Sequence, residues 1–341
     1  MQTKRKHVGG EQRQQQEQRR KLQTQKPQQP QQPHEDDNLV LLASEPTLVC
    51  AVAEMRGRRP TMEDVHINSR VCTANSAQQM RIFAVCDGHG GPSCAKFLRQ
   101  HLARHISSLL CGRDPAQPQQ VKLALKTAFV NCEKAYERQR AIGDNSGSTC
   151  CLLVYFEVER VFYVASCGDA RAIVFDDFQR QAATTGHQVT RDHKPETATE
   201  RRRIEALGGT VVKLEFEDFV IHRVNGLLAV ARAFGDVYLR PFITELPDVF
   251  GPYAVSAQKN NAVVLACDGA FESNTTTELC AEIARVVEQK RKAELTTLGG
   301  AKTQTNNADT RRVLAVADGI CKFAFERGTE DNVTAICLQF L

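Results

Sequence analysis

The sequence predicts an α+β fold of antiparallel sheets with helices on their outer faces, and two observations carry that reading. Joints between consecutive apolar runs are too short for helical crossovers, which excludes a doubly wound parallel sheet. The helical stretches instead come in pairs set between groups of strands. No solenoid period is present, and one folded domain accommodates the whole pattern.

The elements follow in chain order. Residues 1 to about 38 are Gln-rich, broken by Pro27, Pro30 and Pro33, and too polar to bury a core, so they read as a disordered tail. The folded domain is expected over 39–341. Apolar residues from Leu48 to Ala53 make a first strand, and Ile82 to Cys86 a further one bounded by charge. Ser93 is placed to cap a helix in which Leu98, Leu102, Ile106 and Leu109 recur at helical spacing. Pro118 opens a second helix striped with Val121, Leu125, Ala128, Phe129, Cys132 and Tyr136. Three β segments follow, Ser148–Phe156, Arg160–Ser166 and Ala170–Phe175, with joints of hairpin length.

The stretch "TRDHKPETATERRRIEALGG" gives a further helix, with Pro195 suited to its first turn and Gly208 to its stop. Strands are expected around Val211–Leu214, Val220–Val224, Leu227–Val230 and Val263–Cys267. Helices are expected over Thr275–Lys290 and Arg311–Arg327, and the polar stretch between them, about 291–310, reads as a flexible surface insertion. Val333–Phe340 closes the chain as a strand.

Composition narrows the function classes. The 341 residues are 42% hydrophobic and 25% charged, which suits an enzyme-sized core. The formal charge of +4 is unevenly spread: residues 1–33 carry eight Lys/Arg against Glu11 and Glu17, about +6, leaving the remainder near −2. The basic clusters Lys4–Lys6 and Arg19–Lys21 are spaced as for an import receptor or an acidic partner, though a merely solvated tail has the same look. No aromatic residue interleaves them for base stacking, which argues against nucleic acid as a partner. Thirteen cysteines without a CxxC pair suggest neither a zinc ribbon nor a thioredoxin-like site, and thiols inside apolar runs fit a reducing compartment. No apolar run approaches the ~20 residues of a membrane span, and no leader-like segment opens the chain. The expectation is a monomeric protein of the cytoplasm or nucleus with no membrane contact.

The chemical signal is one device repeated. "RIFAVCDGHGG" ends an apolar run on Asp87, where a Gly-rich turn lets other groups approach the backbone. "NAVVLACDGAFES" repeats it at Asp268, "VFYVASCGDARAIV" sets Asp169 between two apolar runs, "GTEDNVTAICLQF" puts Glu330 and Asp331 before the last strand, and "RRPTMEDVHI" puts Glu63 and Asp64 in a loop. One such acid is an ordinary turn residue. Five loops converging at one rim would repel one another unless cations sit among them. Hard oxygen donors without thiol pairs or clustered His favour Mg²⁺ or Mn²⁺ over Zn²⁺. Two such ions would polarise a phosphoryl group and supply a water nucleophile. Arg59, four residues before Glu63, suits a phosphate anchor, although "RGRRP" also reads as a basic surface turn. His89 suits protonation of a leaving oxygen near neutrality, although it could simply hydrogen-bond a neighbour.

These motifs, with "SGSTC", "TRDHKP", "ERRRIEALGG" and "RVNGLLAVARAFGD", occur in the order of the type 2C metal-dependent serine/threonine protein phosphatases, which the chain resembles from about Val49 to Leu341. The resemblance implies a central antiparallel β-sandwich flanked on both sides by antiparallel helix pairs. It implies hydrolysis of phosphoserine and phosphothreonine in phosphoprotein substrates, with a water bridged by two Mg²⁺ or Mn²⁺ ions. Asp87 would bridge both ions and the Gly88 carbonyl would bind one. Asp268 and Asp331 would complete the other, with Glu63 reached directly or through water. Asp64 would stand just behind them, Arg59 would anchor phosphate and His89 would be the general acid. Asp169 would serve a looser third-metal site. Two departures stand out: Phe271 and Glu272 replace the Trp and Asp that often follow the second Asp-Gly, and Ala231 replaces a usual Ser. Glu272 puts the third site in doubt, and a catalytically weak or inactive binding module is the alternative reading. A cysteine-based phosphatase fails, because Cys50/Arg56, Cys132/Arg138 and Cys321/Arg327 have the spacing but lack the Gly-rich phosphate loop.

Overall fold

The computed structural model describes residues 37–45, 47–72, 78–178, 186–217, 219–256, 261–297 and 305–341. Of the tail expected over 1–38, all but Asp37 and Asn38 lies outside the described residues, as does 298–304 of the expected insertion.

Two antiparallel sheets pack face to face. One has the order β1 (Asn38–Glu45), β2 (Leu48–Met55), β16 (Val333–Phe340), β15 (Ala262–Ala266), β9 (Arg171–Phe175) and β10 (Gly186–Gln188). The other runs β14 (Asp248–Ala254), β8 (Val161–Cys167), β7 (Cys150–Phe156), β4 (Gln79–Cys86) and β3 (Val65–Cys72). Their central strands read as unbroken apolar runs because both faces are buried. In β4, Phe83 and Val85 face the opposing sheet, where they meet Val52, Leu265 and Ile336. Ile82, Ala84 and Cys86 face outward against α1 (Ser93–Leu110) and α2 (Pro118–Gln139). The same alternation in β16 sends Ile336, Leu338 and Phe340 inward and Ala335 and Cys337 outward. That outer face is covered by α4 (Thr276–Thr297) and α5 (Thr305–Glu326). Burying each large side chain in these layers contributes about 1.5–3 kcal/mol. Helix pair, sheet, sheet and helix pair thus stack as four layers. A smaller unit, α3 (Ala198–Ala206) with the hairpin β11 (Val211–Glu215) and β12 (Val220–Val224), has its own core around Ile204, Val230 and Leu239. No helix among the described residues is long and apolar enough to cross a membrane.

Several element readings are corrected. β1, β3 and β14 were not expected: each is an edge strand with polar or half-buried positions, and Pro252 interrupts the pattern of β14. Leu227–Val230 is a turn, closed by the Val224 amide on the Leu228 carbonyl with Asn225 at φ +51°. Ser93 is the first helical residue and Pro92 occupies the cap, while the Ser146 hydroxyl accepts the Cys94 amide at 3.1 Å. α3 starts at Ala198, after Pro195 rather than on it. The stretch expected as a loop at 291–310 is helical wherever it is described, since α4 runs to Thr297 and α5 starts at Thr305.

Candidate active site

Strand register assembles the acids before any side chain is considered. Val65 pairs with Cys86, Cys150 with Cys167, and Ala266 with both Arg171 and Ala335. The residues just beyond those pairs, Asp64, Asp87, Asp169, Asp268 and Asp331, therefore emerge at one end of the sandwich. Gly88 makes the approach possible: a Cβ there would meet the Glu63 carbonyl oxygen at 2.4 Å.

The electrostatics match this crowding. Burial pushes Asp64 up to about 7, Asp331 and Asp268 add repulsion, and Thr334 and Cys267 relieve only part of it. Burial also raises Asp87 well above the carboxylate range, helped by Asp64, Asp268 and Asp331 and by a hydrogen bond to Asp268. Burial and Asp169 raise Asp268 to about 7 despite Lys194. Asp331 is raised by burial against the relief of Arg59, whose Nη2 lies 2.7 Å from its Oδ2. Asp169, 2% exposed, is paired with the Lys194 ammonium, which also stands 4.0 Å from Asp268.

Asn332 fixes the loop that carries Arg59 and Glu63. Its Nδ2 donates to the carbonyls of Arg56 and Thr61 at 2.8 and 3.0 Å, and its Oδ1 accepts the Glu63 amide at 2.9 Å. The Glu63 carboxylate in turn accepts from the Gly91 amide and the Thr61 hydroxyl, each at 3.0 Å.

His89 is held by a miniature sheet of β5 (Gly88–His89), β6 (Gly147–Ser148) and β13 (Phe234–Gly235). That sheet sets His89 Nε2 2.8 Å from Oδ2 of Asp236, which is fully buried. Burial alone would lower the imidazole, but the hydrogen bond and charge of Asp236, with Asp169 and Glu63 beyond, raise it overall. Gly147 lies between the two, and a Cβ there would meet Asp236 Oδ2 at 2.1 Å and His89 Nε2 at 2.4 Å.

The candidate acids Glu63, Asp64, Asp87, Asp169, Asp268 and Asp331 are thus gathered at one end, with Arg59 and His89 at the same rim. Glu272 is differently placed: its Oε2 accepts the Thr329 hydroxyl at 2.7 Å and the Glu330 amide at 2.8 Å, so it braces the Asp331 loop. Sequence reasoning missed Lys194, Asp236 and Asn332 as site residues. Among the described residues, no three acidic, His or Cys side chains surround a single point at coordinating distance; Asp331 is turned onto Arg59 and Asp169 onto Lys194. The donor set fits Mg²⁺ or Mn²⁺ all the same. It consists of hard oxygens, and Asp64 Oδ2 and Asp169 Oδ1 are buried without a hydrogen-bond partner.

Comparison with known proteins places the chain in a family. The Protein phosphatase 2C family model matches residues 48–333. The chain is 30% identical over 294 residues to Probable protein phosphatase 2C member 13, mitochondrial, of Oryza sativa subsp. japonica, covering 86% of this chain and 68% of that one. It is 30% identical over 307 residues to the human Integrin-linked kinase-associated serine/threonine phosphatase 2C, covering 84% and 71%. In fold it resembles the crystal structure of serine-threonine phosphatase 2C from Toxoplasma gondii, with TM-score 0.69 at 20% identity over 91% of this chain and 100% of that one. The chain spans about two thirds of the length of the curated relatives it matches.

Proposed function

The chain belongs to the protein phosphatase 2C family, and from that premise we propose that it hydrolyses phosphoserine and phosphothreonine in protein substrates by direct transfer to water, without a phosphoenzyme. The observation that carries this reading is the set of mutually repelling carboxylates Asp64, Asp87 and Asp268 at one end of the sandwich. Buried acids so close are stable as anions only with divalent cations among them.

Asp87, the Gly88 carbonyl, Asp268 and Asp331 would hold two Mg²⁺ or Mn²⁺ ions, with Glu63 and Asp64 beside them. When bound, such ions supply Lewis acidity to the phosphoryl group and lower the pKa of the attacking water. Arg59, 52% exposed at the rim, is free to exchange Asp331 for a phosphate edge, which a guanidinium matches bidentately. His89 would give its proton to the departing serine or threonine oxygen, with Asp236 holding the ring in place and supporting its positive charge. Asp169 and Lys194 would balance charge beside Asp268. Glu272 would act through the loop of Asp331 rather than on a third ion. Buried free thiols such as Cys86, Cys150 and Cys337 fit a cytoplasmic or nuclear setting.

The test is hydrolysis of a phosphothreonine peptide in ¹⁸O-water under single turnover, with Mn²⁺ present and then with excess chelator. One label should enter each phosphate released, and chelator should abolish release reversibly. Undiminished turnover in chelator would remove the metal-dependent reading, and a trapped phosphoenzyme would remove direct transfer.

A further inference from the structure

We propose that the groove between β3 and α1 docks an extended, acidic segment of a partner protein. Naming that partner as the phosphoprotein substrate rests on the function proposed above. The groove has a volume of about 570 Å³, with His66 and Asn68 on the strand side, Arg99, Ala103 and Arg104 on the helix side, and Leu42 of β1 also lining it.

Three features argue for this occupant. First, both walls issue from the acidic end of the sandwich. β3 begins at Val65, directly after Glu63 and Asp64, and α1 begins directly after the loop of Gly88 to Pro92. Both walls therefore lead from the groove toward the end where Arg59 and His89 stand.

Second, β3 is the last strand of its sheet. It pairs with β4 on one side, and among the described residues no other backbone hydrogen bond reaches it. Such an edge presents a row of amides and carbonyls to which an extended peptide can add as another strand.

Third, the charge of the groove is one-sided. Arg99 and Arg104 are exposed on α1, and no carboxylate lines the space with them. The nearby acids are already held: Glu54 by His66 at 2.7 Å, and Glu45 by Arg81 and Arg70 at 3.1 and 3.4 Å. The two arginines are five positions apart on α1, about 7.5 Å along its axis and about 140° around it. Acidic side chains at alternate positions of a strand are about 6.8 Å apart and on one face. A segment with Glu or Asp at every second position thus carries its carboxylates on one face while its backbone follows β3.

The test uses the full chain freed of metal, so that acidic peptides cannot bind through bridging ions. A short fluorescein-labelled peptide alternating Glu with Thr is titrated by anisotropy, beside an isomer with the same Glu residues in one block. Saturable binding of the alternating peptide is expected, weaker for the block isomer. It should weaken at least ~10-fold in Arg99→Glu/Arg104→Glu, consistent with loss of complementary charge at an interface. Lys126→Glu/Lys134→Glu, which makes the same charge change on α2, should bind as wild type, and both doubles should unfold at the wild-type midpoint. Equal weakening in the two doubles, absence of binding, or equal competition by a single-stranded oligonucleotide would each overturn the proposal. Peptide binding by a chain that hydrolyses no phosphopeptide would keep the groove and discard the phosphatase reading. Hydrolysis without peptide binding would do the reverse.

Discussion

His89 Nε2 lies 2.8 Å from Asp236 Oδ2, and the contact spans 147 residues of sequence because three two-residue strands bring its ends together. Asp236 sits at φ +48°, a conformation that Asn tolerates well, so Asp236→Asn removes charge without forcing the backbone. Loss of a positioned general acid costs about 10²–10⁴ in rate. We expect Asp236→Asn to lose about 10² in kcat on a phosphothreonine peptide and far less on an aryl phosphate, whose leaving group needs little protonation. Gly147→Ala should reproduce that split, since its Cβ would occupy the space between the pair. Equal losses on both substrates would show that Asp236 does not act through His89.

Asp87 is expected to oppose stability and support activity. Its carboxyl is raised by burial and by the surrounding Asp64, Asp268 and Asp331. Asp87→Asn should abolish turnover yet stabilise the metal-free chain by about 0.5–2 kcal/mol, as is common when a functional site is relaxed. Urea unfolding in chelator measures the second effect. A variant that is less stable without metal would contradict the reading of mutual repulsion.

Lys194 should behave oppositely. Its ammonium is the cation nearest the buried Asp169 and stands beside Asp268. Removing one partner of a buried pair is costly, and partial exposure of Lys194 reduces the cost here to about 1–3 kcal/mol. Lys194→Met should therefore lower the melting temperature in chelator, and added Mn²⁺ should recover most of the loss. No recovery would mean that Asp169 and Asp268 are not open to a cation.

Acid should weaken the fold through Glu200 and Asp248. His193, then Arg232, lowers Asp248; burial would raise Glu200, but Arg232 and Arg203 outweigh it and hold it low. Groups depressed in the folded state contribute stability that is complete above their unfolded values near 4. That stability is lost as pH falls through the folded values. Urea midpoints should be flat in this contribution above about pH 5 and fall below about pH 4, and Asp248→Asn should make the fall shallower. An unchanged slope in that variant would exclude the network as its source.

The central strands were legible because burial on both faces turns β4 and β16 into continuous apolar runs. Asp87 and Asp268 were legible because an apolar run stops on Asp-Gly, a local mark of an acid leaving a core. Edge strands were not: "VHINSRVC" in β3 mixes polar with apolar positions, because Val65 and Ile67 face the helix-side core while His66, Asn68 and Arg70 reach Glu54, the Leu42 carbonyl and Glu45. Asp236 and Lys194 lie inside the quoted motifs "RVNGLLAVARAFGD" and "TRDHKP", but nothing local in either stretch marks the residue as part of the site. Their importance comes from partners 147 and 25 residues away. Arg59 and His89 had only plausible chemistry from spacing when taken singly; read together with the acid loops they pointed to a phosphoryl site, and the family resemblance then gave them the same roles. Glu272 was noticed as a departure, but only the structure places it against Thr329 and Glu330.

Anomalous diffraction from crystals grown with Mn²⁺ tests most directly whether these acids form one cation-binding centre. Two peaks about 3.5–4 Å apart, bounded by Asp87, Gly88, Asp268 and Asp331, are the expected result. Peaks elsewhere on the molecule, or none at that end of the sandwich at saturating Mn²⁺, would contradict it.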